Sequence, residues 1–148
     1  MPILPVLEAR GLTVDIPFED GTIHAVRNVS FAIQPGSLFG IAGESGSGKS
    51  VLTQAIMGLL PAADVSGEVW FEGRNLIGLS PAEMRKLRGG RIGMIFQDPL
   101  SSLHPYYTIG AQIAEVLHAH ETVGKDEARE RVVEMLGKVG IPSPAARY

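Results

Sequence analysis

Eight consecutive residues, Gly43-Glu44-Ser45-Gly46-Ser47-Gly48-Lys49-Ser50, fit the pattern G-x-x-x-x-G-K-[ST] of a phosphate-binding P-loop. A triphosphate concentrates negative charge. A loop that wraps it must aim successive backbone N–H groups inward and keep side chains out of the approach, which Gly43, Gly46 and Gly48 permit. A helix beginning near Lys49 would add unpaired N-terminal donors and the positive end of its dipole. Lys49 would reach the β and γ phosphates as a mobile point charge, and the Ser50 hydroxyl would complete the coordination of a Mg²⁺ shared with them. The alternative is a glycine-rich turn that does no more than join a strand to a helix.

Such a loop needs a strand before it and a helix after it. Leu38-Phe39-Gly40-Ile41-Ala42 is a short continuous apolar run that predicts a buried parallel strand, and residues 51–60, from Val51 onward, have helical apolar spacing closed by Gly58 and Pro61. Arg91-Ile92-Gly93-Met94-Ile95-Phe96 predicts a second core strand. It would deliver Gln97-Asp98-Pro99 at its C-terminal end, where open α/β sheets bind ligands.

Upstream, Leu12, Val14 and Ile16 alternate with Thr13 and Asp15, and Glu19-Asp20-Gly21 supplies turn chemistry, so a hairpin is expected. Val29, Phe31 and Ile33 alternate with Asn28, Ser30 and Ala32 before Pro35-Gly36 turns the chain. Residues 65–73 predict a further strand ending in a turn, with Trp70 and Phe71 on opposite faces and Trp70 assigned to sheet packing. Ser80-Pro81-Ala82-Glu83 is a capping box with proline at the first helical position.

Beyond His104-Pro105 the character becomes helical. Ile109, Ile113, Val116 and Leu117 recur at helical spacing, as do Ala128, Val132, Met135, Leu136 and Val139, with Gly140 and Pro142 as the stop. Glu127, Glu130 and Glu134 fall on the expected solvent face of the second helix.

Composition bounds the remaining classes. The chain has 148 residues, 45% of them hydrophobic, enough for a packed core rather than a disordered protein. It has no cysteine, which removes disulfides and thiolate metal sites. The start, Met1-Pro2-Ile3-Leu4-Pro5, lacks a basic region followed by a long apolar one, and no apolar run approaches the ~20 residues of a bilayer span. The net charge of −3 gives no general reason to expect a polyanion partner, and nucleic acid is not expected. Arg85, Lys86, Arg88 and Arg91 form one basic cluster, read as a solvated helix face because no aromatic residues interleave. The four histidines, His24, His104, His118 and His120, show no metal-ligand spacing.

Three stretches carry a family likeness: the P-loop itself, then Gly89-Gly90-Arg91-Ile92-Gly93-Met94-Ile95-Phe96-Gln97-Asp98-Pro99-Leu100-Ser101-Ser102-Leu103-His104-Pro105, then Thr108-Ile109-Gly110-x-Gln112-Ile113. Together with Ala25-Val26-x-Asn28-Val29-Ser30-Phe31 they resemble the ATP-binding subunit of ABC importers for oligopeptides, dipeptides and nickel, over nearly the whole chain. The resemblance implies an α/β fold: a P-loop NTPase core of ABC ATPase type with an antiparallel β subdomain over residues 1–98, and the start of a helical subdomain over residues 99–148.

It also implies ATP and Mg²⁺ as cofactors, with Lys49 and Gln97 as catalytic groups, Gln97 joining Ser50 at the metal as the Q-loop glutamine. The position matching the family's adenine-stacking aromatic is Ile16, with Phe18 two residues later. Implied partners are membrane-spanning permease subunits and a second ATPase subunit, at the cytoplasmic face of the inner membrane. The family's L-S-G-G-Q signature, its apolar strand ending in Asp-Glu and its switch histidine are not found, so an N-terminal portion is expected, which alone should not turn over ATP. A non-catalytic nucleotide-binding or interaction fragment, and an ABC ATPase without a transporter, are the alternatives.

Overall fold

The computed structural model describes residues 4–99 and 102–148. Met1, Pro2 and Ile3, read above for a leader segment, and Leu100 and Ser101, within the second family stretch, lie outside the described residues. The chain divides into two compact units, Met1–Met84 and Arg85–Tyr148.

The first unit is built on a four-stranded antiparallel sheet of order β2-β1-β3-β4, from β1 (Leu7–Phe18), β2 (Gly21–Ile33), β3 (Asp64–Phe71) and β4 (Arg74–Asn75). The expected hairpin is present, with Phe18 opposite Gly21 and Leu7 opposite Ile33. One helix, α1 (Lys49–Ile56), crosses between β2 and β3 in sequence. Its Leu52, Ala55 and Ile56 are buried, as are Ala9, Leu12 and Val14 of β1, Val26 of β2, and Val69 and Phe71 of β3. Each fully buried side chain of this size contributes about 1.5–3 kcal/mol of transfer free energy.

Ala9 and Leu12 both face this core although they are three residues apart, which a regular strand would not allow. A bulge resolves the conflict. The four residues of β1 from Ala9 to Leu12 oppose three of β2, and the four from Arg10 to Thr13 oppose three of β3. Gly11 occupies the extra position at φ 58, and its N–H donates to Ser30 Oγ at 2.8 Å. Gly67 of β3 packs so tightly here that a Cβ would stand 2.5 Å from the Gly11 carbonyl oxygen. β2 carries its own bulge: Val26 and Val29 oppose Val14 and Leu12, leaving Arg27 and Asn28 as the irregular pair. Asn28 takes φ 50 and donates its N–H to Thr13 Oγ1 at 3.0 Å.

β3 ends as expected in a turn, with Glu72 at φ 49 and Gly73 at φ 80. Phe71 faces the core, and Trp70 lies on the other face beneath the Arg10 guanidinium, 5.7 Å from ring centre. The capping box of α2 (Pro81–Leu87) is formed. Glu83 N donates to Ser80 Oγ at 3.3 Å, and Ser80 N and Oγ donate back to Glu83 Oε2 at 3.0 and 2.8 Å.

The two parallel core strands expected at residues 38–42 and 91–96 are not formed. The first segment is irregular with Leu38 wholly exposed, and the second retains only an isolated bridge between Arg88 and Ile92 and leaves Ile95 93% exposed. A parallel strand exists only through ladder bonds to neighbours. Among the described residues no strand pairs with either segment. Phe39 is held to β2 by stacking on Phe31, with centroids 5.1 Å apart.

The second unit contains α3 (Ile109–His120) and α4 (Lys125–Lys138). Thr108 caps α3, its Oγ1 accepting from Ala111 N at 3.2 Å. Buried Ala114, Ala128, Val132 and Leu136 form the seam, flanked by Ile113, Leu117, Val123 and Tyr148. Four residues of the expected apolar stripes, Ile109, Val116, Met135 and Val139, stay exposed instead, outside this seam. Gly140, at φ 81, ends the last helix as expected.

Candidate phosphate-binding site

Residues 43–50 form a turn that runs directly into α1. Ser47 N donates to Glu44 O at 3.2 Å, closing the turn, and Leu52 N donates to Gly48 O at 2.8 Å, opening the helix. Gly46 and Gly48 adopt φ 79 and 88. Gly48 is the N-cap of α1 and offers no capping side chain, and the first turn carries no acidic residue. The leading N–H groups of α1 are therefore left to an external acceptor, with no carboxylate of the helix competing for them.

Lys49 is folded back over the loop. Its Nζ donates to Gly43 O at 2.8 Å, Glu44 O at 2.6 Å and Ser47 Oγ at 3.2 Å, using all three ammonium donors. A positive charge is thus fixed inside the ring of residues that would surround a phosphate. Ser50 is exposed at the next position, and its hydroxyl has no partner among the described residues.

Two elements hold this loop in place. Burial of Leu52, Ala55 and Ile56 anchors α1, and β2 abuts the loop at Ala25. A cavity of about 300 Å³ opens between them, lined from β2 by Ala25, Val26, Arg27 and Val29, and from the loop side by Ile41, Ala42, Gly43, Ser47, Gly48, Lys49 and Leu52. The β2 wall was not singled out as part of the site from sequence, although Ala25-Val26-x-Asn28-Val29 was noted as a family stretch.

Glu44 and Ser45 are exposed on the loop. Ile16 and Phe18 sit towards the turn of the β1–β2 hairpin, opposite Ile23 and Gly21, and neither lines the cavity. Gln97 belongs to the second unit, where it is exposed in an irregular stretch rather than at the end of a strand. Among the described residues no three of His, Asp and Glu are grouped as a metal site. Among them, too, no helix is long and apolar enough to cross a membrane.

Residues 26–147 match the family described as ABC transporter. The chain belongs to that family. It is similar to the oligopeptide transport ATP-binding protein OppD of Bacillus subtilis, 47% identical over 145 residues that make up 96% of this chain and 40% of that protein. It is similar also to the dipeptide transport ATP-binding protein DppD of Escherichia coli, 41% identical over 146 residues, 97% of this chain and 45% of that protein. The chain thus spans less than half the length of these curated relatives. Among solved structures, a dimeric ATP-binding cassette in a post-hydrolysis state, bound to ADP and Pi, matches with a TM-score of 0.81 and 27% identity over 96% of this chain and 60% of that one. The fold is therefore that of an ABC ATPase cassette, here an antiparallel sheet with helices.

Proposed function

We propose that this chain forms the ATP-binding part of an ABC transporter ATPase that powers uptake of oligopeptides, dipeptides or a related small solute. The observation that carries the reading is the loop of residues 43–50, with Lys49 Nζ held at 2.6–2.8 Å by the Gly43 and Glu44 carbonyls over an uncapped helix N-terminus. The relatives' names supply the transported class.

In this account Gly43, Glu44, Ser45, Gly46, Ser47 and Gly48 cradle the phosphates with backbone donors, and the α1 dipole adds to the attraction. A phosphate oxygen takes the place of Ser47 Oγ, the longest of the three Lys49 bonds at 3.2 Å. Ser50 suits a divalent ion, since Mg²⁺ asks for one or two protein oxygens beside phosphate and water and this hydroxyl has no partner among the described residues. Mg²⁺, when bound, would neutralise charge developing on the β and γ oxygens. The role given to Gln97, at the ion and in orienting water, rests on the family resemblance alone. The parent reaction is in-line attack of water on the γ phosphate. The permease subunits and a second ATPase subunit are the partners, at the cytoplasmic membrane surface.

A second reading, a nucleotide-binding fragment without turnover, draws support from the cavity, where no Asp or Glu is among the lining residues. Calorimetric titration of MgATP tests the shared premise. Lys49→Ala should weaken binding by about 1.5–3 kcal/mol, the worth of a hydrogen bond to a charged group. Unchanged affinity would remove Lys49 from its role.

A further inference from the structure

The cavity beside the loop has two cations of different standing. Lys49 is fully engaged by loop oxygens. Arg27 has no hydrogen bond or ion pair among the described residues, yet its residue lines the same cavity. Its position is set by the β2 bulge, since Arg27 and the left-handed Asn28 lie between the paired residues Val26 and Val29. Bulges of this kind re-aim side chains and are over-represented beside functional sites.

The rest of the cavity wall away from the loop is apolar: Val26, Val29, Ile41 and Leu52. Such a wall has nothing to offer a phosphate, whose donors are on the loop, but it suits the flat face of a heterocycle. No aromatic residue is among the lining residues, and Ile16 and Phe18, towards the hairpin turn opposite Ile23 and Gly21, do not line the cavity. A planar guanidinium is the remaining group able to stack on a base.

Building on the assignment of residues 43–50 to the phosphates, we infer that Arg27 is a specificity-determining contact for the nucleotide base, stacking its guanidinium on the ring in place of an aromatic side chain. Arg27 is exposed on the edge strand and its side chain pairs with none of the described residues, so its removal leaves the packing of the sheet untouched.

The test compares ATP with inorganic tripolyphosphate, which has the phosphates and no base, by calorimetry on the 148-residue chain. Arg27→Ala should weaken ATP about three- to thirtyfold, the range of a cation–π contact, and leave tripolyphosphate unchanged. Arg27→Lys, which keeps the charge and loses the plane, should behave like Arg27→Ala, and Phe18→Ala should behave like the unaltered chain. Lys49→Ala should weaken both ligands. If it weakens neither, the phosphate site itself is misassigned. If Lys49→Ala acts on both but Arg27→Ala acts on neither or equally on both, or lysine restores full affinity, the role given to Arg27 is wrong.

Discussion

A Cβ atom on residue 48 would stand 2.3 Å from the carbonyl oxygen of Ala25. The last glycine of the phosphate loop therefore rests directly on the backbone of β2, and at φ 88 it also occupies a conformation that L side chains rarely adopt. Both constraints act at one residue. Gly48→Ala must push the start of α1 away from β2, and left-handed strain alone costs of order 1–3 kcal/mol. Urea denaturation should show a lower midpoint, and MgATP affinity should fall with it. An alanine variant with unaltered midpoint and affinity would mean that the loop does not depend on this contact.

In the second unit, a Cβ on Gly110 would meet Cγ of Tyr148 at 2.6 Å. The Tyr148 ring also lies 4.3 Å from the Arg129 guanidinium, so it bridges α3 and α4. Alanine is the better helix former by about 1 kcal/mol, yet overpacking against a ring costs about 1–3 kcal/mol. Gly110→Ala should therefore destabilise the unaltered chain. The same change in a Tyr148→Ala background should cost less, because the ring contact is gone while the backbone carbonyl carbon of residue 148, at 2.7 Å, remains. Equal effects in both backgrounds, by urea denaturation, would exclude this packing.

The same unit is tied at its loop by Arg131, whose Nη1 and Nη2 donate to Glu121 Oε2 and Oε1 at 2.6 and 3.0 Å. The hydrogen bonds from Arg131, more than its charge alone, hold the Glu121 carboxyl below its ordinary value. A depressed carboxyl contributes stability above its unfolded pKa of about 4.3 and loses it as pH falls through the folded value. Glu121→Gln should thus lower the midpoint at neutral pH, with the difference vanishing below the carboxylate range. A difference independent of pH would place the effect outside this ion pair.

Much of the site was legible because it is local. The turn of residues 43–50 into a helix and the Ser80–Glu83 box are defined by neighbours within a few positions, and both formed. Residues 38–42 and 91–96 read as strands from composition alone, but a strand is completed by ladder partners, and those are absent among the described residues. The approach of Ala25 to Gly48 and of Tyr148 to Gly110 joins positions far apart in sequence, and no spacing rule reveals it. The two helices followed their periodicity only in part, since Ala114, Ile113 and Leu117 packed at the seam with α4 while Ile109 and Val116 stayed exposed.

Steady-state phosphate release separates binding from catalysis. Hydrolysis needs a group that orients or deprotonates water, and none of the cavity's lining residues is a carboxylate. The 148-residue chain with saturating MgATP is expected to release phosphate at a rate no higher than its Lys49→Ala variant. Turnover of about one per second, a typical lower value for enzymes, abolished by Lys49→Ala, would show a competent catalytic group within these residues.

The central claim is that the backbone donors of residues 43–50 hold the phosphates. The most direct measurement is a two-dimensional ¹H–¹⁵N spectrum of the chain titrated with MgATP. The account predicts saturable shifts of the Gly46, Gly48, Lys49 and Ser50 amides, accompanied by Ala25, Val26 and Arg27 across the cavity, and loss of these shifts in Lys49→Ala at the same ligand concentration. Saturable shifts centred elsewhere, with the amides of residues 43–50 unmoved, would contradict it.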